Sequence, residues 1–223
     1  MIRNIVFDFV GVITDIDFKK IFNELSFKEK IKALRLYVAC KHGKKARAAF
    51  DAYQTGELTT DQLNTIAETY FPTCKGLINK LSNAIIENAY VNKNVLSLID
   101  QLRKDGFKVF MLSNSTPETE KLIEKNGLRE HFDDLILSTE IGLLKPDPSI
   151  FNYVTNAHNI SPVETFFVDD TEENLETATR LGFRIIPCSS SNETFYEVGH
   201  RFYTHYQDFA VEDKNIEEEP EKE

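Results

Sequence analysis

Short β-branched or aromatic runs alternate with helix-length segments along much of this chain, a rhythm that calls for a parallel sheet covered by helices. Ile2 to Phe7, Phe107 to Leu112, Leu135 to Leu137, Thr165 to Val168 and Phe183 to Ile186 each suit a buried strand. The helices between them have readable ends. Val95, Leu98, Ile99 and Leu102 form one apolar stripe that Gly106 closes. Thr116-Pro117 opens the next helix, with proline in its first turn, and Gly127 ends it. Pro148 to His158 and Glu172 to Leu181 complete the set, the last closed by Gly182.

Residues 17–91 follow a different pattern. Phe27, Ile31, Leu34 and Val38 are helically spaced, Thr59 with Gln62 resembles a capping box, and Leu77, Leu81, Ile85 and Ala89 repeat every four residues. No strand is expected here. The segment reads as a helical insertion after the first strand, dividing an α/β domain into 1–16 and 92–208. Residues 209–223 are expected to form a disordered acidic tail, because Glu212 to Glu223 holds seven acidic residues, two lysines and Pro220.

The net charge of −10 argues against a nucleic-acid surface. No apolar run approaches the roughly 20 residues that span a bilayer, so no membrane partner is expected. The amino terminus enters a strand-like run at once and does not read as a secretory signal. Cys40, Cys74 and Cys188 are widely spaced and odd in number, which points to reduced thiols in a cytoplasmic protein. The five histidines show no zinc spacing, and surface or packing roles are expected of them. Phe50 and Tyr53 are expected in packing more than against a substrate.

The chemistry-bearing residues stand where strands stop. The first run ends at Asp8, the second at Ser113-Asn114 and the fourth at Asp169-Asp170, while Lys145 sits in a loop just before a helix. Ligands of open α/β sheets bind beyond the carboxyl ends of the strands, so these groups are expected to converge. Carboxylates brought that close repel unless a cation joins them, and Mg²⁺ favours such oxygen ligands.

The string Ile5-Val6-Phe7-Asp8-Phe9-Val10-Gly11-Val12-Ile13-Thr14 resembles the first motif of the haloacid dehalogenase (HAD) superfamily. Leu112-Ser113-Asn114 resembles its second motif, Lys145-Pro146-Asp147 its third, and Phe167-Val168-Asp169-Asp170 with Asn174 its fourth. The resemblance covers about residues 1–208 and implies a Rossmann-like α/β core with a helical cap at 17–91. It also implies a hydrolase whose expected substrate is a small phosphorylated metabolite. By that resemblance Asp8 is the nucleophile, and Asp8, the backbone carbonyl of Val10 and Asp170 hold Mg²⁺. Ser113 and the Asn114 N–H bind the transferring phosphoryl oxygens, and Lys145 orients Asp8 and neutralises developing charge. Asp169 and Asn174 support the metal from behind.

One position departs from the pattern. Most phosphatases of this superfamily carry an aspartate two residues after the nucleophile, acting as general acid and base; here it is Val10. A branch resembling bacterial sugar-phosphate phosphatases, among them α-D-glucose-1-phosphate phosphatase, carries glycine there. That branch shares the following Asp15-Ile16-Asp17-Phe18. The expectation is therefore a Mg²⁺-dependent phosphatase of a sugar phosphate or similar metabolite. The alternatives are a 2-haloacid dehalogenase or a catalytically impaired binding or regulatory protein. Oligomeric state is not legible.

Overall fold

The computed structural model describes residues 1–211. Five parallel strands form the central sheet: β1 (Asn4–Phe7), β4 (Lys108–Ser113), β5 (Asp134–Leu137), β6 (Thr165–Asp169) and β7 (Arg184–Pro187), in the order β5-β4-β1-β6-β7. A second, antiparallel pair joins β2 (Thr14–Ile16) to β3 (Ala89–Val91). Between β2 and β3 lie α1 (Phe18–Glu24), α2 (Phe27–His42), α3 (Lys44–Gln54), α4 (Thr60–Tyr70) and α5 (Leu77–Asn88). The remaining helices are α6 (Lys93–Lys104), α7 (Pro117–Lys125), α8 (Ser138–Ile141), α9 (Pro148–His158), α10 (Glu172–Arg180) and α11 (Ser191–Phe202).

Side chains alternate across a strand, so each strand feeds two cores. Ile5, Phe7, Val109, Met111, Leu135 and Val168 face one side, where they meet Val95, Leu98, Ile99 and Leu102 of α6 and Phe195 of α11. Val6, Phe110, Leu112, Ile136 and Phe167 face the other, against Ile150, Phe151 and Val154 of α9 and Ala178 of α10. The continuous apolar runs are thus the mark of strands covered on both faces. Each large side chain withdrawn from water contributes about 1.5–3 kcal/mol.

The expected α/β class and parallel sheet are present, and two local expectations need correction. β3 is a strand where none was expected, and Ala89 belongs to it instead of extending the four-residue repeat of α5. Three residues pairing with an equally short β2 carry too little pattern to register as a strand. The expected helix over Phe27–His42 forms, opened by a Ser26–Glu29 capping box, and Phe27, Ile31, Leu34 and Val38 all face outward on it. Phe209 belongs to a 3-10 turn, Tyr206–Phe209, and its ring packs edge-on against Tyr203 at 4.8 Å, so this first residue of the expected tail is packed on the core. The rest of that expectation, 212–223, lies outside the described residues.

Two helical interlocks tie the α1–α5 segment to the sheet's carboxyl edge. The Ser138 hydroxyl donates to the Gln54 carbonyl at 2.7 Å, and the Tyr53 hydroxyl donates to Glu118, which also accepts from Thr60 at 3.2 Å. Tyr53 and Glu118 are both buried, so Tyr53 packs as expected. Asp15 and Asp17 also do structural work: Asp15 accepts from the Ser191 N–H at 3.1 Å, and Asp17 caps α1 through the Lys20 N–H at 2.7 Å.

Candidate active site

β1 is the middle strand, and its neighbours β4 and β6 are reached by connections running to opposite sides of it. That makes the carboxyl end of β1 the topological switch point, where open α/β sheets bind ligands. Asp8 stands there, its N–H donating to the Val168 carbonyl at 2.8 Å. Phe7 is level with Met111 and with Val168, so one residue further on Asp8 comes level with Asp169, and Ser113 closes β4 alongside.

Lys145 unites the site. Its ammonium lies 2.6 Å from Asp8 Oδ1 and 2.8 Å from Asp169 Oδ2, and it is almost wholly buried. Asn174 Nδ2 donates to both Asp169 oxygens, at 2.9 and 3.1 Å, and the Thr171 N–H donates to Asp169 Oδ1 at 2.8 Å. Asp169 is therefore saturated and fixed. Asp170, more exposed, accepts from the Thr171 hydroxyl at 3.1 Å. One carboxylate oxygen each from Asp8, Asp169 and Asp170 lies within 4.8 Å of the others.

Three carboxylates face one ammonium, an excess of negative charge in a buried setting. Burial pushes the Asp8 carboxyl up to about 7, with Asp169 adding to the rise and Lys145 opposing it. Asp170 is also raised, by burial and then by Asp169. The donor set suits a hard divalent cation, which Mg²⁺ is, since such ions take oxygen ligands and offset this repulsion. Gly11 provides the space. It has φ +85°, and a Cβ built on it would stand 2.4 Å from Asp170 Oδ2, so only glycine lets the β1 turn approach that carboxylate.

The turn after Asp8 is tight: the N–H groups of Ile13 and Thr14 both donate to the Phe9 carbonyl at 2.9 Å. Val10 projects from it and is 36% exposed. Asn114 has a role that motif reading missed. Its side chain exchanges two hydrogen bonds with the Lys145 backbone, each 2.8 Å, and so anchors the loop that delivers the ammonium. A side-chain amide paired with a backbone amide 31 residues away leaves no sequence signal. Ser115 was likewise unmarked. Its N–H and hydroxyl bond Ser138 and Thr139, knitting the ends of β4 and β5 together.

His131 pairs with Asp100 at 2.8 Å, away from this cluster, and Cys40, Cys74 and Cys188 are free thiols. Among the described residues, the three aspartates are the one acidic, cysteine or histidine cluster able to hold an ion.

Known proteins resemble this chain over most of its length. A D-ribitol-5-phosphate phosphatase from Bacteroides thetaiotaomicron is 33% identical over 199 residues, covering 82% of this chain and 90% of the relative. A HAD family enzyme from the same species, solved with magnesium and inorganic phosphate, superposes with a TM-score of 0.67 at 25% identity, covering 84% of this chain and 94% of that one. A predicted HAD-like family hydrolase from Porphyromonas gingivalis reaches 0.70 at 25% identity, covering 90% and 97%. The family described as haloacid dehalogenase-like hydrolase matches residues 2–182, and this chain belongs to it.

Proposed function

We propose that the protein is a Mg²⁺-dependent phosphatase of a small phosphorylated metabolite such as a sugar phosphate, with Asp8 as nucleophile. The observation that carries the reading is the Asp8–Lys145–Asp169 arrangement beside Asp170: a nucleophilic carboxylate, a buried cation to orient it, and an excess of negative charge matched to a divalent ion. Asp8, the Val10 carbonyl and Asp170 would hold Mg²⁺, with Asp169 and Asn174 fixing the surroundings. When bound, the ion would offset repulsion between Asp8 and the anionic phosphoryl group. The D-ribitol-5-phosphate phosphatase and the pyrimidine 5'-nucleotidase YjjG of Escherichia coli, 30% identical over 55% of this chain, support phosphate-ester chemistry.

In this reading Asp8 attacks phosphorus as the ester P–O bond breaks, giving an aspartyl-phosphate. Lys145 favours the ionised form of the attacking carboxylate and holds it in line, while Ser113 and the Asn114 N–H receive the phosphoryl oxygens. The leaving oxygen takes its proton from water, since Val10 has none to give. Water then hydrolyses the acyl phosphate and restores Asp8. Residues 17–91 act as the cap over this edge, and their interlocks at Tyr53 and Gln54 set its position.

The test is phosphate release from a panel of sugar and polyol phosphates, with Mg²⁺ and with chelator, for wild type and Asp8→Asn. Release that needs Mg²⁺ and vanishes in the variant is expected. Equal rates for the two proteins would reject Asp8 as nucleophile. Val10 keeps one second reading in play, an impaired ligand-binding protein, which intact binding without turnover would select.

A further inference from the structure

Helix α2 is apolar on two opposite sides. Ala33 and Leu36 face inward to Leu25, Cys74 and Leu77. Phe27, Ile31, Leu34 and Val38, spaced 4-3-4, fall within about 60° of one another on the other side at 100° per residue. They are exposed, Phe27 at 77% and Leu34 at 60%. The stripe widens toward Tyr37 and toward Phe22 of α1, whose ring lies 5.0 Å from Lys30 Nζ. α2 packs on α3, and α3 on α8, so α2 is separated from the sheet by other helices, and its second apolar face is left exposed.

Charge on this face is one-sided. Residues 17–47 hold ten Lys and Arg against three Asp and Glu, in a chain of net charge −10. On α2, Lys28 and Arg35 flank one border of the apolar stripe and Lys30 and Lys41 the other. The only acidic residue of the helix, Glu29, is tied to Lys80 at 2.8 Å and to its own cap.

We infer that this face docks on an anionic lipid surface, the apolar side chains entering the headgroup boundary and the flanking cations meeting lipid phosphates. A self-pairing of α2 would set Lys28, Lys30 and Arg35 against the same cations of a second copy, which opposes it. An aromatic-edged face about two helical rows wide, cationic on both borders and free of acids, suits an interface more than a narrow seam. The expectation of no membrane partner rested on the lack of a spanning run. No described helix is long and apolar enough to cross a membrane, and an interfacial face does not need one.

Flotation of the full chain with vesicles tests this. With equal phosphatidylglycerol and phosphatidylcholine, the bound fraction is expected to exceed that on pure phosphatidylcholine by roughly tenfold or more, and to fall in 0.5 M salt. Phe27→Ser/Leu34→Ser and Lys28→Glu/Arg35→Glu should each abolish binding while leaving the melting temperature and basal hydrolysis unchanged, because all four side chains are exposed. No binding to anionic vesicles, or binding that both double variants retain, overturns the proposal. So does a dimer in sedimentation equilibrium that Phe27→Ser/Leu34→Ser dissociates, or capture of a Glu-flanked amphipathic peptide without vesicle binding.

Discussion

The Lys145 ammonium lies 2.6 Å from Asp8 and 2.8 Å from Asp169, joining the ends of two neighbouring strands through one buried cation. Lys145→Met leaves two buried carboxylates without that partner, and removing one member of a buried pair costs about 3–5 kcal/mol. Denaturant unfolding should show the loss, and adding Asp8→Asn to Lys145→Met should recover part of it. A Lys145→Met protein as stable as wild type would mean that the pair contributes nothing.

Acidity at Asp8 makes metal binding pH-dependent. Its carboxyl is raised to about 7, chiefly by burial, so below that pH a proton and Mg²⁺ compete for the same oxygens. Mg²⁺ affinity by calorimetry should fall about tenfold per unit below about pH 7 and level off above it, with a proton released on binding near pH 6. The native carboxyl holds a proton that the unfolded chain has lost above its ordinary value of 3.8, so this group's contribution weakens the metal-free fold as pH rises from about 4 to 7.

Gly11→Ala puts a Cβ where Asp170 Oδ2 stands and a side chain at φ +85°. The backbone strain costs about 1–3 kcal/mol in the unliganded protein. The displaced Asp170 should weaken Mg²⁺ by more than about tenfold, read as a smaller metal-induced rise in melting temperature. An unchanged rise would remove Asp170 from the metal site.

Tyr53→Phe takes from Glu118 one of its two cross-segment donors and leaves a buried carboxylate oxygen poorly satisfied. A loss of about 1–3 kcal/mol is expected in equilibrium unfolding. Glu118→Gln on that background should restore some of it, because a neutral amide is cheaper to bury.

Val10→Asp restores a proton carrier beside the nucleophile. Val10 is 36% exposed, so the new carboxylate keeps water contact and needs no buried partner. Turnover of a poor leaving group should rise by about 100-fold or more, within the range that general acid catalysis supplies. Turnover of a good leaving group should change little.

Much of the site was legible because its residues sit at strand ends. A run such as Ile2 to Phe7 announces its own termination, and a parallel sheet puts every such end on one edge. Asp8, Ser113, Asp169 and Asp170 could be brought together on that ground, and Lys145 by its motif. Asn114 was assigned only a backbone contact, since nothing local shows that its amide grips a loop 31 residues away. Glu118, an acid in the first turn of α7, carries no sequence mark, and only the docking of α3 and α4 makes it a buried acceptor.

Local periodicity determined the α/β class, the strand ends and the helices, because alternation and capping act over a few residues. It did not decide which side of a helix meets the protein. Phe27, Ile31, Leu34 and Val38 form a good core stripe by spacing, yet α2 packs through Ala33 and Leu36 and turns that stripe outward. Which apolar face is covered depends on neighbours distant in the chain, and the distances within the Asp8–Lys145–Asp169 triad depend on how three separate segments close upon one another. Those were settled by tertiary packing.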